Sequence, residues 1–332
     1  MTPSVEGSTG VAMVQPKVFI DGEAGTTGLQ IYSRLAQRED VTVVSIDPAK
    51  RKDVAERARL IDSVDVAILC LPDAAAREVV ALVSSPTVKI LDASTAHRTD
   101  PDWAYGFPEL APGQRKAIAK AHRVSNPGCY PTGFLAAIKP LVASGLIPAS
   151  FPVTINAISG YSGGGRKLIE VYGEYSGEAE PPYPYGVYGL TFGHKHVQEM
   201  HTYSGLAHAP LFLPAVGAFE QGMLVQVPLP LWTLDNPPTG QQLWDVLADY
   251  YGAEPFVQVN ALGDAGEPRD RKFLDTKTAN GTNQVQLFVF ANDDTHEALV
   301  AARLDNLGKG ASGAAVQNMN IMLGLPEQTG LI

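Results

Sequence analysis

Between residues 17 and 94, short β-branched and apolar runs alternate with stretches in which apolar side chains return every three or four positions. "KVFID" (17–21), "VTVVSI" (41–46), "VDVAILCLP" (64–72) and "TVKILDAS" (87–94) have the length and residue types of buried strands. "TTGLQIYSRLAQRED", "DVAERARL" and "DAAAREVVALVSS" between them have the period of amphipathic helices. Strands joined through helices require right-handed crossovers and a parallel sheet, so this half predicts an α/β, Rossmann-like, doubly wound fold. Cys70 falls inside the third predicted strand between Leu69 and Leu71, which reads as structural burial.

The texture changes near residue 150. "FPVTINAIS", "AFEQGMLVQVPLP", "PFVQV" and "NQVQLFVFAND" are strand-like, but Gly, Pro and Tyr-rich connections separate them in place of regular helices. That pattern predicts an α+β second domain with a mixed or antiparallel sheet. Residues 174–189, "EYSGEAEPPYPYGVYG", are dense in turn formers and without period, and read as a long binding loop. Towards the end, Ala314, Ala315, Val316, Met319, Ile321 and Met322 fall at helical spacing, predicting a helix that could return to the first domain.

Composition narrows the partner. The 332 residues suit about two domains, and a formal net charge of −10 argues against nucleic acid or an anionic membrane surface, which need a concentrated basic face. A small molecule fits better. No apolar run has the length of a membrane span, and residues 1–16 lack a charged region followed by an apolar one, so they read as a short disordered leader on a cytoplasmic protein. Two cysteines, Cys70 and Cys129, are too few for a disulfide framework and have no metal-type spacing, so both are expected as reduced thiols.

Three stretches carry candidate chemistry. In "DGEAGTTGLQ", Gly22, Gly25 and Gly28 are spaced G-x-x-G-x-x-G between the first strand and the helix opened by Thr26 and Thr27. A tight glycine turn at a helix N-terminus lets phosphate oxygens approach backbone N–H groups; Glu23 would repel a pyrophosphate unless it points outward. At the end of the second strand, Asp47 is placed for a ribose hydroxyl, yet Lys50, Arg51 and Lys52 follow, a cluster that suits a 2′-phosphate and hence NADP unless it is only a solvated charge run. In "SNPGCYPTG", Cys129 lies between an Asn-Pro-Gly turn and the helix formers Pro131 and Thr132, where helix N–H groups stabilise a thiolate. A core cysteine has no need of that setting, so Cys129 reads as a nucleophile. "GHKHVQEMH" offers its proton partner: His194 and His196 share a face in a strand, His196 and Glu199 in a helix, and a zinc site built on the histidines competes with both.

"DGEAGTTG", "CLPDAA", "DASTAHR", "SNPGCYPTG", "SGYSGGGRK", "GLTFGHKHVQEM" and "GASGAAVQNMN" together resemble the N-acetyl-γ-glutamyl-phosphate reductase family of arginine biosynthesis, in its shorter type, from about Lys17 to Leu325. The longer type has a G-A-S-G-Y-T-G loop and a histidine motif ending in Pro-Glu, which "GEAGTTG" and "HVQEM" depart from. The resemblance implies an NADP domain of residues 17–128 with 306–332, a catalytic and oligomerisation domain of 129–305, and a homodimer or homotetramer. It also implies NADPH-dependent reduction of the acyl phosphate to N-acetylglutamate semialdehyde through a Cys129 thioester; no metal is expected, because the histidines have no second cysteine or carboxylate cluster at ligand spacing. His196 is expected to move the proton, oriented by Glu199, while His194 contacts substrate. Ser159, Gly160, Ser162 and Gly163 are expected beside substrate and cofactor, Pro72, Ser94 and Asn318 beside the cofactor, and Asn126 beside the substrate. Arg98 and Arg166 are alternatives for the phosphate or carboxylate, and either could instead be an ordinary ion pair. The rival readings are an aspartate-semialdehyde or aminoadipyl-phosphate enzyme of the same thioester chemistry, and a non-catalytic NADP-sensing protein.

Overall fold

The computed structural model describes residues 15–174, 183–265 and 273–331. The predicted leader, apart from Gln15 and Pro16, and residues 175–182 of the predicted loop lie outside them. The first half runs β1 (Lys17–Asp21), α1 (Thr26–Leu35), β2 (Thr42–Val44), α2 (Val54–Ile61), β3 (Val66–Leu69), α3 (Asp73–Leu82), β4 (Lys89–Asp92), β5 (Ala104–Tyr105), α4 (Gln114–Lys120), β6 (Arg123–Ser125) and α5 (Cys129–Ala143). The strands form one six-stranded sheet in the order β2-β1-β3-β4-β6-β5, every pairing parallel.

Alternation along the strands divides the core between two faces. Val18 and Ile20 of β1 pack with Ile31 and Leu35 of α1 and Ile118 of α4, whereas Phe19 packs with Leu60 and Ile61 of α2 and Val79 of α3. That is the doubly wound arrangement the periodicity predicts. Strands β5 and β6 escape the pattern because "AY" and "RVS" contain no apolar run, yet β6 delivers the chain to Asn126 and α5.

The second half contains β7 (Thr154–Gly160), α6 (Arg166–Gly173), β8 (Tyr185–Val187), α7 (His196–Ser204), β9 (Leu211–Gly217), β10 (Met223–Pro230), α8 (Gly240–Tyr251), β11 (Val257–Val259), β12 (Val285–Asn292), β13 (Glu297–Leu304) and α9 (Gly313–Leu323). Its sheet has seven strands in the order β11-β12-β13-β10-β7-β9-β8 and is mixed, with parallel β7–β9 and β11–β12 pairs and antiparallel neighbours elsewhere. Besides β8, two of its strands have no counterpart among the predicted runs. β9 carries Pro214, and β13 is Ala-rich with a helix-like composition. The predicted loop over 174–189 is corrected as well: its later part pairs as edge strand β8 against β9, backbone bonding having overridden a sequence without period.

Helix α5 is buried on nearly all sides and packs Phe134, Leu135, Ile138 and Leu141 into the core formed by the inner faces of this sheet. Helix α9 returns to the first sheet, where Ala315, Val316 and Met319 join the face lined by α1 and α4. Among the described residues no helix is long and apolar enough to cross a membrane.

Candidate active site

The glycine loop is shaped by close approach. Gly22 has φ +89°, and a Cβ there would lie 2.3 Å from the Cys70 carbonyl oxygen; one at Gly28 would lie 2.3 Å from the Gly22 carbonyl oxygen. The loop is therefore pressed against the end of β3 with α1 against it, and Gly25 is the residue that caps α1. Glu23 turns aside to accept the Ser45 hydroxyl at 2.9 Å, which removes the objection that its charge raised. Thr26 and Thr27, at the start of α1, line a cavity of about 820 Å³ that runs from this helix terminus to Cys129.

Cys129 is the first residue of α5. The preceding turn is held from several directions: the Asn126 side chain donates to the Ala311 carbonyl at 3.1 Å and accepts from Asn318 Nδ2 at 3.1 Å, and the Asn126 carbonyl accepts from Arg98 Nε at 2.9 Å. Gly128 N–H donates to Glu199 Oε1 at 2.8 Å. A Cβ at Gly128 would lie 2.6 Å from Arg98 Nη1 and 2.7 Å from His196 Nε2, so glycine is what lets both groups close over the residue before the thiol.

The histidine motif resolves as a helix. His196 opens α7, and His194 precedes it with Nδ1 accepting the His196 N–H at 3.1 Å. The expectation that Glu199 orients His196 is corrected. Both Glu199 oxygens are engaged elsewhere, Oε1 with the Tyr105 hydroxyl at 2.7 Å and Gly128 N–H, Oε2 with Arg98 Nη1 at 3.1 Å. His196 Nδ1 is buried without a hydrogen-bond partner.

Electrostatics also departs from expectation at the thiol. Burial pushes Cys129 up to about 11, outweighing the Arg98 charge and the Tyr130 N–H that favour the thiolate. The helix terminus does not by itself make this cysteine acidic, and the thiol needs a base to lose its proton. Burial holds His196 well below 6.5, with Arg98, His194 and Lys195 adding repulsion, and pushes His194 down to about 4 with help from Lys195. Both rings are neutral near pH 7, so His196 has a lone pair for the thiol proton, but the same burial and neighbouring charges oppose the imidazolium that would form.

Of the other expected residues, Arg98, Asn126, Ser159, Gly160, Ser162 and Gly163 line the cavity. Ser162 is fixed by Asn306 Nδ2 at 3.0 Å. Several do not line it. Lys50, Arg51 and Lys52 stand exposed beyond β2, Pro72 caps α3, and Ser94 is buried with its hydroxyl on Asp92 at 2.8 Å. Arg166 is exposed and pairs with Glu170 at 2.8 Å. Asn318 lies behind the Asn126 turn, donating to the Gly106 carbonyl at 2.7 Å, and Glu199 lies behind Gly128. Lys195, Tyr130, Tyr188, Asn306 and Gly310 line the cavity without having been singled out. Only Lys195, set between two candidate histidines, and Asn306, two residues before the glycines of the tail, had a signal in the sequence. Among the described residues no group of three or more His, Cys, Asp or Glu side chains is arranged to hold a metal.

Comparison with known proteins matches two family models, a semialdehyde dehydrogenase NAD binding domain over residues 17–121 and a semialdehyde dehydrogenase dimerisation domain over 129–306. An N-acetyl-γ-glutamyl-phosphate reductase from Trichormus variabilis is 67% identical over 96% of this chain and 100% of its own length. Another from Burkholderia cenocepacia is 50% identical over 93% of this chain and 97% of its own. Among solved structures, an aspartate semialdehyde dehydrogenase II from Vibrio cholerae superposes with a TM-score of 0.70 at 14% identity, covering 94% of this chain and 99% of that one, a likeness of fold alone.

Proposed function

We propose that this chain, which belongs to the semialdehyde dehydrogenase family and within it to the N-acetyl-γ-glutamyl-phosphate reductases, reduces N-acetyl-γ-glutamyl phosphate to N-acetylglutamate 5-semialdehyde with release of phosphate. The observation that carries the reading is the placement of Cys129 at a helix start, in one cavity with His196 and with the α1 terminus that follows the glycine loop.

Cys129 attacks the acyl carbon. A Sγ–C bond forms, the C–O bond to phosphate breaks with its electron pair leaving on the phosphate, and the thiol proton passes to His196, whose neutral ring can take it. Arg98, held by Glu199 and the Asn126 carbonyl, sets a fixed positive charge beside Gly128 where the carbonyl oxygen gains charge. When the thioester is reduced, His196 is placed to return a proton to that oxygen.

The glycine cradle and the Thr26–Thr27 helix terminus fit a nicotinamide dinucleotide, which supplies the hydride. We assign NADP over NAD because the Asp47 carboxylate is committed to its own turn, accepting Ala49 N–H at 2.9 Å, while Lys50, Arg51 and Lys52 stand exposed, Lys50 in a loose 3.9 Å pair with Glu56, where they can meet a 2′-phosphate. The nucleotide domain of this reading is residues 17–128 completed by 306–332, and the catalytic domain 129–305 joins copies into a homodimer or homotetramer in the cytoplasm. Support for that assembly is the dimerisation-domain match.

The test is phosphate-dependent formation of NADPH from N-acetylglutamate semialdehyde by the purified protein. Turnover of aspartate semialdehyde instead, or nucleotide binding without turnover of either, would refute the assignment.

A further inference from the structure

We propose that Lys195 is the receptor for the departing phosphate, its ammonium meeting the phosphoryl oxygens while Cys129 attacks the acyl carbon. The proposal rests on the acyl-phosphate reading above. It begins from which cations of the cavity are already engaged. Arg98 donates to Asn126, Glu199 and Ala93 oxygens, and its position is set by buried partners. Lys309, just outside the cavity, is buried and bound to Glu109 at 2.7 Å and Gln317 at 2.6 Å. Arg166 is paired with Glu170 on the outside of α6. Lys195 lines the cavity, and among the described residues it has no ion pair or hydrogen bond for its side chain.

Position distinguishes Lys195 from Lys167, the other cavity lysine without such a partner. Lys167 lies on α6 next to Leu168, whereas Lys195 immediately precedes His196, whose ring closes on Gly128, the residue before the thiol. Lys195 is exposed where it lines the cavity, and its charge is felt by His194, by His196 and by Asp73, whose carboxylate is itself occupied by Thr95. The leaving group carries two negative charges as its C–O bond breaks. One guanidinium engaged by Glu199 offsets them poorly, and an ammonium held in no ion pair, with only the Thr95-bound Asp73 carboxylate within range, supplies the remainder.

Compensation by phosphate also relieves the two histidines. Facing them are Arg98 and Lys195 as cations, Asp73 within range of Lys195, and Glu199 tied to Arg98. With a dianion on Lys195 its repulsion of His196 falls, so the ring becomes a better base when substrate is present.

The experiment runs the reaction in reverse, reading NADPH formed from semialdehyde, NADP and inorganic phosphate. Wild type must first show phosphate-dependent turnover; if it does not, the functional reading fails, whatever Lys195 does. Given that turnover, Lys195→Met is expected to raise the KM for phosphate by about tenfold or more while the semialdehyde KM stays within about twofold, and Lys195→Arg to restore most of the loss. Removing the charge should also move the acid limb of the pH profile to higher pH in the Met variant and not in the Arg variant. A phosphate KM that does not move, a semialdehyde KM that rises in parallel with it, or an Arg variant as impaired as the Met variant would each overturn the proposal.

Discussion

Gly310 lies directly against Cys129: a Cβ built at 310 would sit 2.8 Å from the Cys129 Cβ and 3.1 Å from the Asp305 carbonyl oxygen. Neither neighbour is the end of a flexible side chain, so Gly310→Ala must displace the first turn of α5 or the turn around residues 308–312. The expected result is a fall in kcat of about tenfold or more, equivalent to ~1.4 kcal/mol at the transition state, with only a few degrees lost from Tm. Kinetics together with thermal melts check it, and unchanged kcat would show that the thiol tolerates the shift.

The thiol is predicted to be protonated at rest. With Cys129 pushed up from 9.0 to about 11, alkylation by iodoacetamide without substrate should accelerate steadily through pH 9 and show no plateau near neutrality. The same shift makes stability fall as pH rises from 9 towards 11, because the unfolded chain releases a proton that the folded one keeps. Cys129→Ser should abolish turnover and the alkylation at residue 129, read by peptide mapping because Cys70 is a second free thiol, while leaving nucleotide binding intact. An alkylation midpoint below pH 8 would contradict the account.

How much of this was legible beforehand follows from where the forces act. The parallel sheet could be read because each strand of the first half is a short apolar run whose alternation feeds two faces, as Val18 and Phe19 do. Strand β13 could not, since "EALVAARL" has a helix-like composition and is extended only because it pairs with β10 and β12 on either side. Cys129 was recognisable from local turn chemistry, but its acidity was not. Burial is set by residues such as Gly310, far away in the chain, and it outweighs the helix terminus. For the same reason the sequence points to Glu199 as a partner of His196, three positions away, whereas its partners are Arg98, Tyr105 and Gly128, about seventy to a hundred positions distant.

Nucleotide preference should depend on the exposed basic cluster. Replacing Lys50, Arg51 and Lys52 by Ala is expected to raise the NADPH KM at least tenfold while leaving the NADH KM nearly unchanged, because only NADPH carries the extra phosphate. Steady-state kinetics with both nucleotides decide it. Equal effects on the two would reduce the cluster to a solvated face.

The two histidines make separable predictions. His196 is buried against Gly128 with Nδ1 unpartnered, whereas His194 uses Nδ1 to accept the His196 N–H. On the proposed mechanism proton transfer falls to His196, so His196→Asn should lower kcat by about 10²-fold or more with a modest change in KM, as loss of general acid–base catalysis does. His194→Asn should weaken substrate binding more than it slows turnover. Stability gives an independent readout. His194 is pushed from 6.5 down to about 4, so the unfolded chain takes up a proton below pH 6.5 that the folded chain refuses. Its contribution is present above that pH and is lost as pH falls from 6.5 towards 4, so the Asn variant should lose less Tm across that interval than wild type. A zinc role would instead make both variants lose bound metal and a chelator inactivate the wild type, which metal analysis of the purified enzyme detects. If His194→Asn is the more damaging to kcat, the proton passes through His194 and the assignment to His196 fails.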